Sequence, residues 1–190
     1  MRYTIRQATS ADIDTLMRLR AETEAWLREA GIPQWTEDYA EHGQRILRES
    51  IEHGVAWLIT APDRTPAGTV TLNGPDHDFW QPHDDPDDAL YVYKMIVTRG
   101  HKGQGLGDAI LNWASHKAAK VGRSWLRLDC RRDNYRLHAY YKARGFEHIR
   151  TVWPPPRPTN SGALFQRKAG TTVDVPLAGD VDRAMLVEHA

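Results

Sequence analysis

The residues of this chain that are best suited to chemistry lie in a glycine-rich turn, Lys102-Gly103-Gln104-Gly105-Leu106-Gly107. An apolar segment ending at Val97 precedes the turn, and a long amphipathic segment begins at Leu106. Glycines allow a tight backbone turn and let a bulky anion approach without a Cβ in the way. Free N–H groups at the start of a helix attract phosphate. Three basic side chains add positive charge around the turn: Arg99, His101 and Lys102. The pattern therefore predicts a site for a phosphate-bearing ligand.

Other glycine-rich sites have a different spacing. A P-loop requires Gly-x-x-x-x-Gly-Lys-Ser/Thr, and the chain contains no such string. A dinucleotide-binding fingerprint requires Gly-x-Gly-x-x-Gly, whereas the glycines here are Gly103, Gly105 and Gly107. A tight structural turn without a ligand stays open as an alternative, because glycine patterns alone are weak evidence.

A second group of residues follows the next apolar segment, Trp125–Cys130. Asn134 comes first, Tyr141 follows seven residues later, and Gly145-Phe146 begins four residues after that. Together with the glycine turn, this group resembles the GNAT superfamily of N-acetyltransferases. The pyrophosphate-binding signature of that superfamily is Arg/Gln-x-x-Gly-x-Gly/Ala after a strand. Lys102 takes its first position here, where it keeps the charge of arginine but not its fork geometry. The resemblance runs from about residue 3 to about residue 167.

The resemblance implies an α/β (α+β) fold, with a mixed, mostly antiparallel sheet of six to seven strands flanked by about four helices. The sheet is expected to splay between the strands at 90–97 and 125–130. The pantetheine arm of acetyl-CoA, or of coenzyme A, is expected to pair with backbone groups in that opening. Acetyl-CoA is thus the implied co-substrate. Its binding is assigned to these residues: Met95, Ile96, Val97, Lys102, Gly103, Gln104, Gly105, Leu106, Gly107 and Asn134.

The resemblance also implies the chemistry, in which a primary amine of a small molecule or a peptide attacks the thioester directly. Tyr141 matches the general acid for the CoA thiolate, and a tyrosine with a pKa of about 10 is protonated at neutral pH. A backbone N–H near Met95 or Ile96 would stabilise the developing oxyanion. Structural roles are the alternatives for two residues, since Tyr141 could be a core aromatic and Asn134 a helix N-cap. The alternative function is a non-catalytic acyl-CoA-binding sensor or regulatory module.

The sequence does not specify the proton acceptor. Many members of the superfamily carry a glutamate on the strand before the glycine turn, but here Tyr93 falls near that position. A lysine-like acceptor amine has a pKa of about 10.4, so a proton must leave, by a water chain or to a carboxylate from elsewhere. Four acids are candidates, each with a solvated surface position as the alternative: Glu22, Glu29, Asp87 and Asp88.

Residues 74–88 contain three prolines and six aspartates, which predicts a long loop. In this superfamily the loop and the first helices border the acceptor side. Acids beside aromatic residues would suit a cationic amine, although a solvated loop without a partner is an equal alternative. The aromatic candidates are Trp26, Trp35, Tyr39 and Trp80. A metal site at Asp76-His77-Asp78 with His83 lacks ordered spacing, so no metal is expected.

The composition fits one globular domain of 190 residues. Lys plus Arg and Asp plus Glu each number 25, and this zero net charge argues against a nucleic-acid binder. Cys130 is the single cysteine, so no intrachain disulfide is possible. No stretch resembles a signal peptide or a membrane span, and a cytoplasmic protein without a membrane partner is therefore expected. A homodimer is left open.

Periodicity predicts the elements that position these residues. A short strand at 3–7 and a helix that ends at Gly31 come first, followed by a more polar helix at 37–53. The remaining predicted elements are strands at 55–60 and 67–72 in a hairpin, a strand at 90–97, a helix at 106–121, a strand at 125–130, a helix at 135–144, and strands at 146–153 and 163–167. Residues 1–168 are assigned to one acetyltransferase domain. Residues 169–190 lack a strong pattern and are assigned to a C-terminal tail of unknown role.

Overall fold

The computed structural model describes residues 1–32, 40–153, 160–177 and 182–189. The elements follow in the order β1 (Arg2–Gln7), α1 (Ile13–Glu29), α2 (Ala40–Glu52), β2 (Ala56–Thr60), β3 (Pro66–Asn73), β4 (Ala89–Val97), α3 (Leu106–Lys120), β5 (Trp125–Arg131), α4 (Tyr135–Lys142), β6 (Glu147–Thr151), β7 (Ser161–Lys168) and β8 (Met185–Glu188). Short 3-10 turns lie at Ser10–Asp12, Pro82–Asp84, Pro86–Asp88 and Arg99–His101.

Eight strands form one sheet in the order β6-β7-β5-β4-β3-β2-β1-β8. The β4–β5 and β1–β8 pairs are parallel. The pairs β1–β2, β2–β3, β5–β7 and β6–β7 are antiparallel. The predicted mixed, mostly antiparallel sheet is thus confirmed, including the β2–β3 hairpin. The predicted number of six to seven strands was too low, because the sequence pattern gave no sign of β8.

The β4–β5 register covers only the first half of β4. Pairing begins at Ala89 with Trp125 and ends at Val92 with Leu128. Both strands continue beyond that register, to Val97 and Arg131. This agrees with the splay that the family resemblance implies at this place in the sheet.

The chain divides into two compact units, and the first comprises Met1–Thr71, Lys94–Leu106 and Leu177–Ala190. In its core, apolar side chains at helical spacing from α1 and α2 pack against β2. The buried members are Ala8, Leu16, Leu19, Leu47, Ile51, Ala56 and Leu58. Helix α1 begins after Asp12, whose carboxylate accepts hydrogen bonds from the Thr9 N–H and from Arg6. It ends before Gly31, where φ is +66°.

The second unit comprises Leu72–Tyr93 and Gly107–Pro176. Its apolar cluster contains Phe79, Trp80, Ala89, Tyr91 and Leu164, each less than a twentieth exposed. Phe79 and Trp80 come from the proline- and aspartate-rich segment 74–88, which the sequence predicted as a loop. That segment is irregular, as predicted, and its two aromatic side chains are part of the core.

The C-terminal residues after 168 hold more structure than their sequence pattern indicated. In the second unit, the Gly170 N–H donates to the Ser115 carbonyl of α3, and Asn112 of α3 hydrogen-bonds both backbone groups of Val173. In the first unit, β8 pairs with β1 in parallel from Arg2↔Met185 to Ile5↔Glu188. The division at residue 168 stays a prediction, but the described part of the tail contributes a strand of the sheet.

Candidate functional site

The glycine turn lies between the end of β4 and the start of α3. Gly103 and Gly105 have φ values of +81° and +75°, which side-chain-bearing residues rarely adopt. A Cβ added to Gly103 would meet no atom of the described residues within 4 Å. Lys102 and Gly103 are exposed, whereas the Leu106 side chain is buried in the core. Leu106 can therefore serve a ligand through its backbone alone.

The backbone N–H groups of the turn fit an anion. Within the described ranges, the N–H groups of Gly103, Gln104 and Gly105 donate no hydrogen bond of ordinary geometry. They lie directly before the first turn of α3, where the helix dipole favours negative charge. Three adjacent donors at a helix N-terminus fit the diphosphate of a nucleotide cofactor. The assignment of residues 102–107 to cofactor binding stays a prediction.

The side chains of the turn divide into two groups. Gln104 is held by protein, since its Nε2 donates to the Gly100 carbonyl at 3.2 Å and its Oε1 accepts from the Tyr3 hydroxyl at 2.5 Å. His101 Nδ1 lies 3.0 Å from the same hydroxyl. The Arg99 guanidinium lies 5.1 Å from the ring centroid of Trp26. Lys102 is an exposed cation next to the three N–H groups, and Gln104 can serve a ligand through its backbone.

The three predicted pantetheine contacts on β4 do not all point in the same direction. A Cβ on Gly68 of β3 would collide with the Ile96 carbonyl oxygen, and the Thr98 N–H donates to Ala67 at 2.9 Å. Ile96 and Thr98 therefore direct their backbone groups toward β3. Because backbone groups alternate along a strand, those of Met95 and Val97 point away from β3. Met95 and Val97 thus have the better orientation for a cofactor, and Ile96 does not.

Asn134 and Tyr141 occupy the two ends of α4. Asn134 Oδ1 accepts from the Leu137 N–H at 3.0 Å, so its side chain is the N-cap of this helix. Tyr141 is 8% exposed, and its ring packs against Tyr140, Phe146 and Phe165 at centroid distances of 5.4, 5.7 and 5.8 Å. Burial is the main cause that raises the pKa of Tyr141 above its ordinary value. Its hydroxyl is therefore protonated at neutral pH.

The candidate bases have other roles. Tyr93 donates to the Gly74 carbonyl at 2.9 Å, and burial raises its pKa. Asp88 accepts from the Ser124 N–H at 3.0 Å, and hydrogen bonding from the Ser124 side chain and then from this N–H lowers its pKa. The other three predicted acids are exposed: Glu22, Glu29 and Asp87. The lowered pKa makes Asp88 a poor proton acceptor near neutral pH.

Lys94 of β4 is a residue that the sequence reasoning missed. Its φ of +48° is unusual for a lysine within a strand. Its side chain lines a cavity of about 10 Å³, room for about one water molecule, together with Leu16, Arg20, Leu47, Thr69, Thr71 and Ile96. Burial, and then the charge of Arg20, lowers the pKa of Lys94 to about 8. A lysine inside the apolar run Leu90–Val97 was the available signal.

The acidic loop does not present its aromatic residues to a ligand. Trp80 is 1% exposed, with the guanidinium groups of Arg127 and Arg150 at 4.7 and 5.7 Å from its ring centroid. Asp84 pairs with Arg150 at 2.7 and 2.6 Å, and this pairing is the main cause that lowers the pKa of Asp84. The loop thus closes the core of its unit. The other two proposed acceptor-side aromatics, Trp35 and Tyr39, lie outside the described residues.

Two further observations concern ligand and membrane classes. Among the residues that the structure describes, no three histidine, cysteine, aspartate or glutamate side chains lie close enough to hold a metal ion. No helix in the described ranges is both long and apolar enough to cross a membrane.

Comparison with known proteins agrees with this fold. Over 145 residues the chain is 29% identical to the uncharacterized N-acetyltransferase YesJ of Bacillus subtilis (strain 168), an alignment that covers 75% of this chain and 80% of the relative. A GNAT-family acetyltransferase from Listeria monocytogenes 4b F2365 has the same fold, with a TM-score of 0.73, 24% identity, and coverage of 87% of this chain and 94% of the other.

A PaiA N-acetyltransferase from Thermoplasma acidophilum, solved in complex with coenzyme A, also shares the fold. Its TM-score is 0.65 at 20% identity, over 88% of this chain and 99% of the other. The model of the acetyltransferase (GNAT) family matches residues 20–146, which include β4, the glycine turn and α4. The chain belongs to the acetyltransferase (GNAT) family.

Proposed function

We propose that this protein is an N-acyltransferase that moves the acetyl group of acetyl-CoA to a primary amine of a small molecule or a peptide. Membership of the family makes acetyl-CoA the co-substrate. The observation that carries the proposal is the set of three N–H groups at Gly103, Gln104 and Gly105, which have no partner in the described residues and precede α3. Donors so arranged fit the diphosphate of coenzyme A.

Other residues would hold the rest of the cofactor. The Lys102 ammonium is exposed beside the turn and adds a charge contact to the phosphates. The backbone groups of Met95 and Val97 point away from β3, and this orientation allows them to pair with the pantetheine amides. Asn134 contributes by capping α4, which fixes the helix that carries Tyr141. The bound cofactor supplies an activated thioester.

The chemistry at the thioester requires a stabilised oxyanion and a protonated thiol product. The Met95 N–H is the proposed oxyanion donor, because it belongs to the backbone groups of β4 that point away from β3. Tyr141 is the proposed donor to the leaving sulfur. Its raised pKa keeps the proton on the hydroxyl until negative charge develops on the sulfur.

Lys94 is the proposed proton acceptor. The amine substrate must lose a proton before attack, and the carboxylates that the sequence offered are exposed or hydrogen-bonded elsewhere. Lys94 has a pKa of about 8, so much of it is neutral in mildly alkaline solution. The cavity that its side chain lines has room for one water, which would pass the proton from the substrate ammonium to Nζ.

If Lys94 accepts the proton, kcat/KM should rise with pH with an apparent pKa near 8. In a Lys94→Met variant, the pH profile of kcat/KM should no longer show this rise.

The test is a binding and turnover screen of the whole chain. Calorimetry with coenzyme A measures binding, and release of free thiol from acetyl-CoA measures transfer to polyamines, amino acids, aminoglycosides and peptides. Transfer to at least one amine supports the enzyme. Binding without transfer to any amine favours the alternative of an acyl-CoA sensor, which the absence of a carboxylate on β4 also favours. Failure to bind coenzyme A at micromolar concentration contradicts both.

A further inference from the structure

The C-terminal residues lie against the glycine turn, although they are outside the stretch that the family model matches. The Ala184 N–H donates to the Gln104 carbonyl at 2.9 Å, and Ala184 is 4% exposed. At Gly105, an added Cβ would lie 3.3 Å from Leu177 Cδ2 and 3.6 Å from Arg183 Cγ. The C-terminal segment therefore packs on one side of the turn.

Strand β8 anchors this segment to β1. The Met185 N–H donates to the Met1 carbonyl at 2.7 Å, and the His189 N–H donates to the Ile5 carbonyl at 2.8 Å. The Met1 amino group donates to the Arg183 carbonyl at 3.0 Å. The bonds of Arg183 and Met185 flank Ala184 in the chain, and the bond of His189 lies beyond the other end of β8. Ala184 is therefore held in position relative to β1.

Strand β1 reaches the same turn through Tyr3. This residue is 0% exposed, and its hydroxyl donates to Gln104 Oε1 at 2.5 Å and lies 3.0 Å from His101 Nδ1. Gln104 is thus fixed twice, through its side chain by Tyr3 and through its carbonyl by Ala184. Tyr3 lies in β1, and Ala184 directly precedes β8, which is the neighbour of β1 in the sheet.

The contact with Ala184 determines where the Gly105 N–H points. A peptide unit is planar and trans, so the carbonyl of one residue and the N–H of the next point in opposite directions. The Gln104 carbonyl points to Ala184. The Gly105 N–H therefore points away from Ala184.

We propose that β1 and the residue directly before β8 position the cofactor site: Tyr3 and Ala184 hold the Gln104–Gly105 peptide so that its N–H faces the diphosphate of coenzyme A. This inference rests on the proposed function, since it assumes that coenzyme A binds at the turn. It gives a role to residues that lie outside the matched family region. The two residues do not touch the cofactor and act through Gln104.

The experiment compares three single variants with the unchanged chain. Ala184→Pro removes the N–H that bonds Gln104, and Tyr3→Phe removes the hydroxyl. Tyr91→Phe is the matched control, because Tyr91 is also 0% exposed and its hydroxyl donates to the Pro86 carbonyl at 2.9 Å in the other unit. Calorimetry measures the Kd of coenzyme A and of pantetheine, which lacks the diphosphate, and thermal unfolding measures Tm.

Each variant at the turn should weaken coenzyme A binding about 5-fold, the effect of losing one hydrogen bond, and should leave pantetheine binding unchanged. The control should lower Tm and leave both Kd values unchanged. The inference would be contradicted if the ratio of the Kd of coenzyme A to the Kd of pantetheine were the same in Tyr3→Phe as in the unchanged chain. This comparison decides the question even if Ala184→Pro does not fold. If the unchanged chain binds coenzyme A but transfers no acyl group, the catalytic proposal alone fails. If the unchanged chain binds no coenzyme A, both proposals fail.

Discussion

Tyr141 and Tyr140 are neighbours in α4, yet their hydroxyl groups have different surroundings. The Tyr140 hydroxyl donates to Asp108 at 3.3 Å, and burial raises its pKa to about 12. Tyr141 lies among aromatic rings and is the proposed donor to the leaving thiolate. Tyr141→Phe should therefore lower kcat roughly 100-fold while the Kd of coenzyme A, measured by calorimetry, stays the same. In the matched variant Tyr140→Phe, the expected loss is about 1 kcal/mol of stability. Equal kcat values in the two variants would remove Tyr141 from the mechanism.

Lys94 should also make the free energy of unfolding depend on pH. Its pKa falls from an ordinary value of 10.5 to about 8 in the folded chain, so the unfolded chain binds more protons between these values. The free energy of unfolding therefore rises with pH in this window. Below pH 8 the half-buried ammonium lowers it by a constant amount. Because Lys94 is partly exposed, we expect Lys94→Met to add about 2 kcal/mol at pH 7. Urea titrations should show that Lys94→Met raises the free energy of unfolding at pH 7 and leaves it unchanged at pH 10.5. A gain that is the same at both pH values would contradict the assignment.

At the scale of elements, the start of α3 depends on a contact between Gly107 and α4. A Cβ added to Gly107 would lie 2.5 Å from the Tyr140 hydroxyl oxygen. Gly107→Ala should therefore cost about 1–2 kcal/mol of stability in chemical denaturation, although alanine favours a helix by up to about 1 kcal/mol. In a chain that already carries Tyr140→Phe, the hydroxyl is absent and the same change should be neutral or stabilising. Additive effects of the two substitutions would show that the contact does not limit this position.

The elements around the site were largely predictable because the relevant residues are close in sequence. The turn from Lys102 to Gly107 and the α4 pattern from Asn134 to Phe146 are each set by local backbone chemistry, with glycines where φ is positive and Asn134 as the N-cap. Lys94 was missed because its cavity is built from α1, α2, β3 and β4. No local pattern records that burial or the nearby charge of Arg20.

Long-range contacts account for the features that the sequence did not show. Strand β8 has four residues, and it is a strand because it pairs with β1 at the other end of the chain. The prolines and aspartates around Trp80 in the sequence are typical of an exposed loop. It is buried because it packs in an apolar cluster with Tyr91 and Leu164, and the guanidinium groups of Arg127 and Arg150 lie against its ring. Such partners are set by the fold and not by the neighbours in sequence.

The position of β8 in the sheet affects association between copies of the chain. In the sheet order, β8 is the end strand beside β1. Deleting residues 185–190 would leave the N–H and C=O groups of β1 unpaired on that side, and such an edge pairs readily with another chain. We expect the shortened chain to form dimers or larger species at increasing concentration in light-scattering chromatography, where the full chain serves as the reference.

A lysine on the exposed edge should suppress this association, because charged side chains oppose strand pairing between copies. Thr4 lies in the middle of β1, pairs with Val187 of β8, and is partly exposed, so Thr4→Lys in the shortened chain is the matched variant. A return to the size of the full chain would identify β1 as the surface that associates. If the shortened chain keeps the size of the full chain without the lysine, β8 does not protect the edge, and its role is confined to holding Ala184 against the glycine turn.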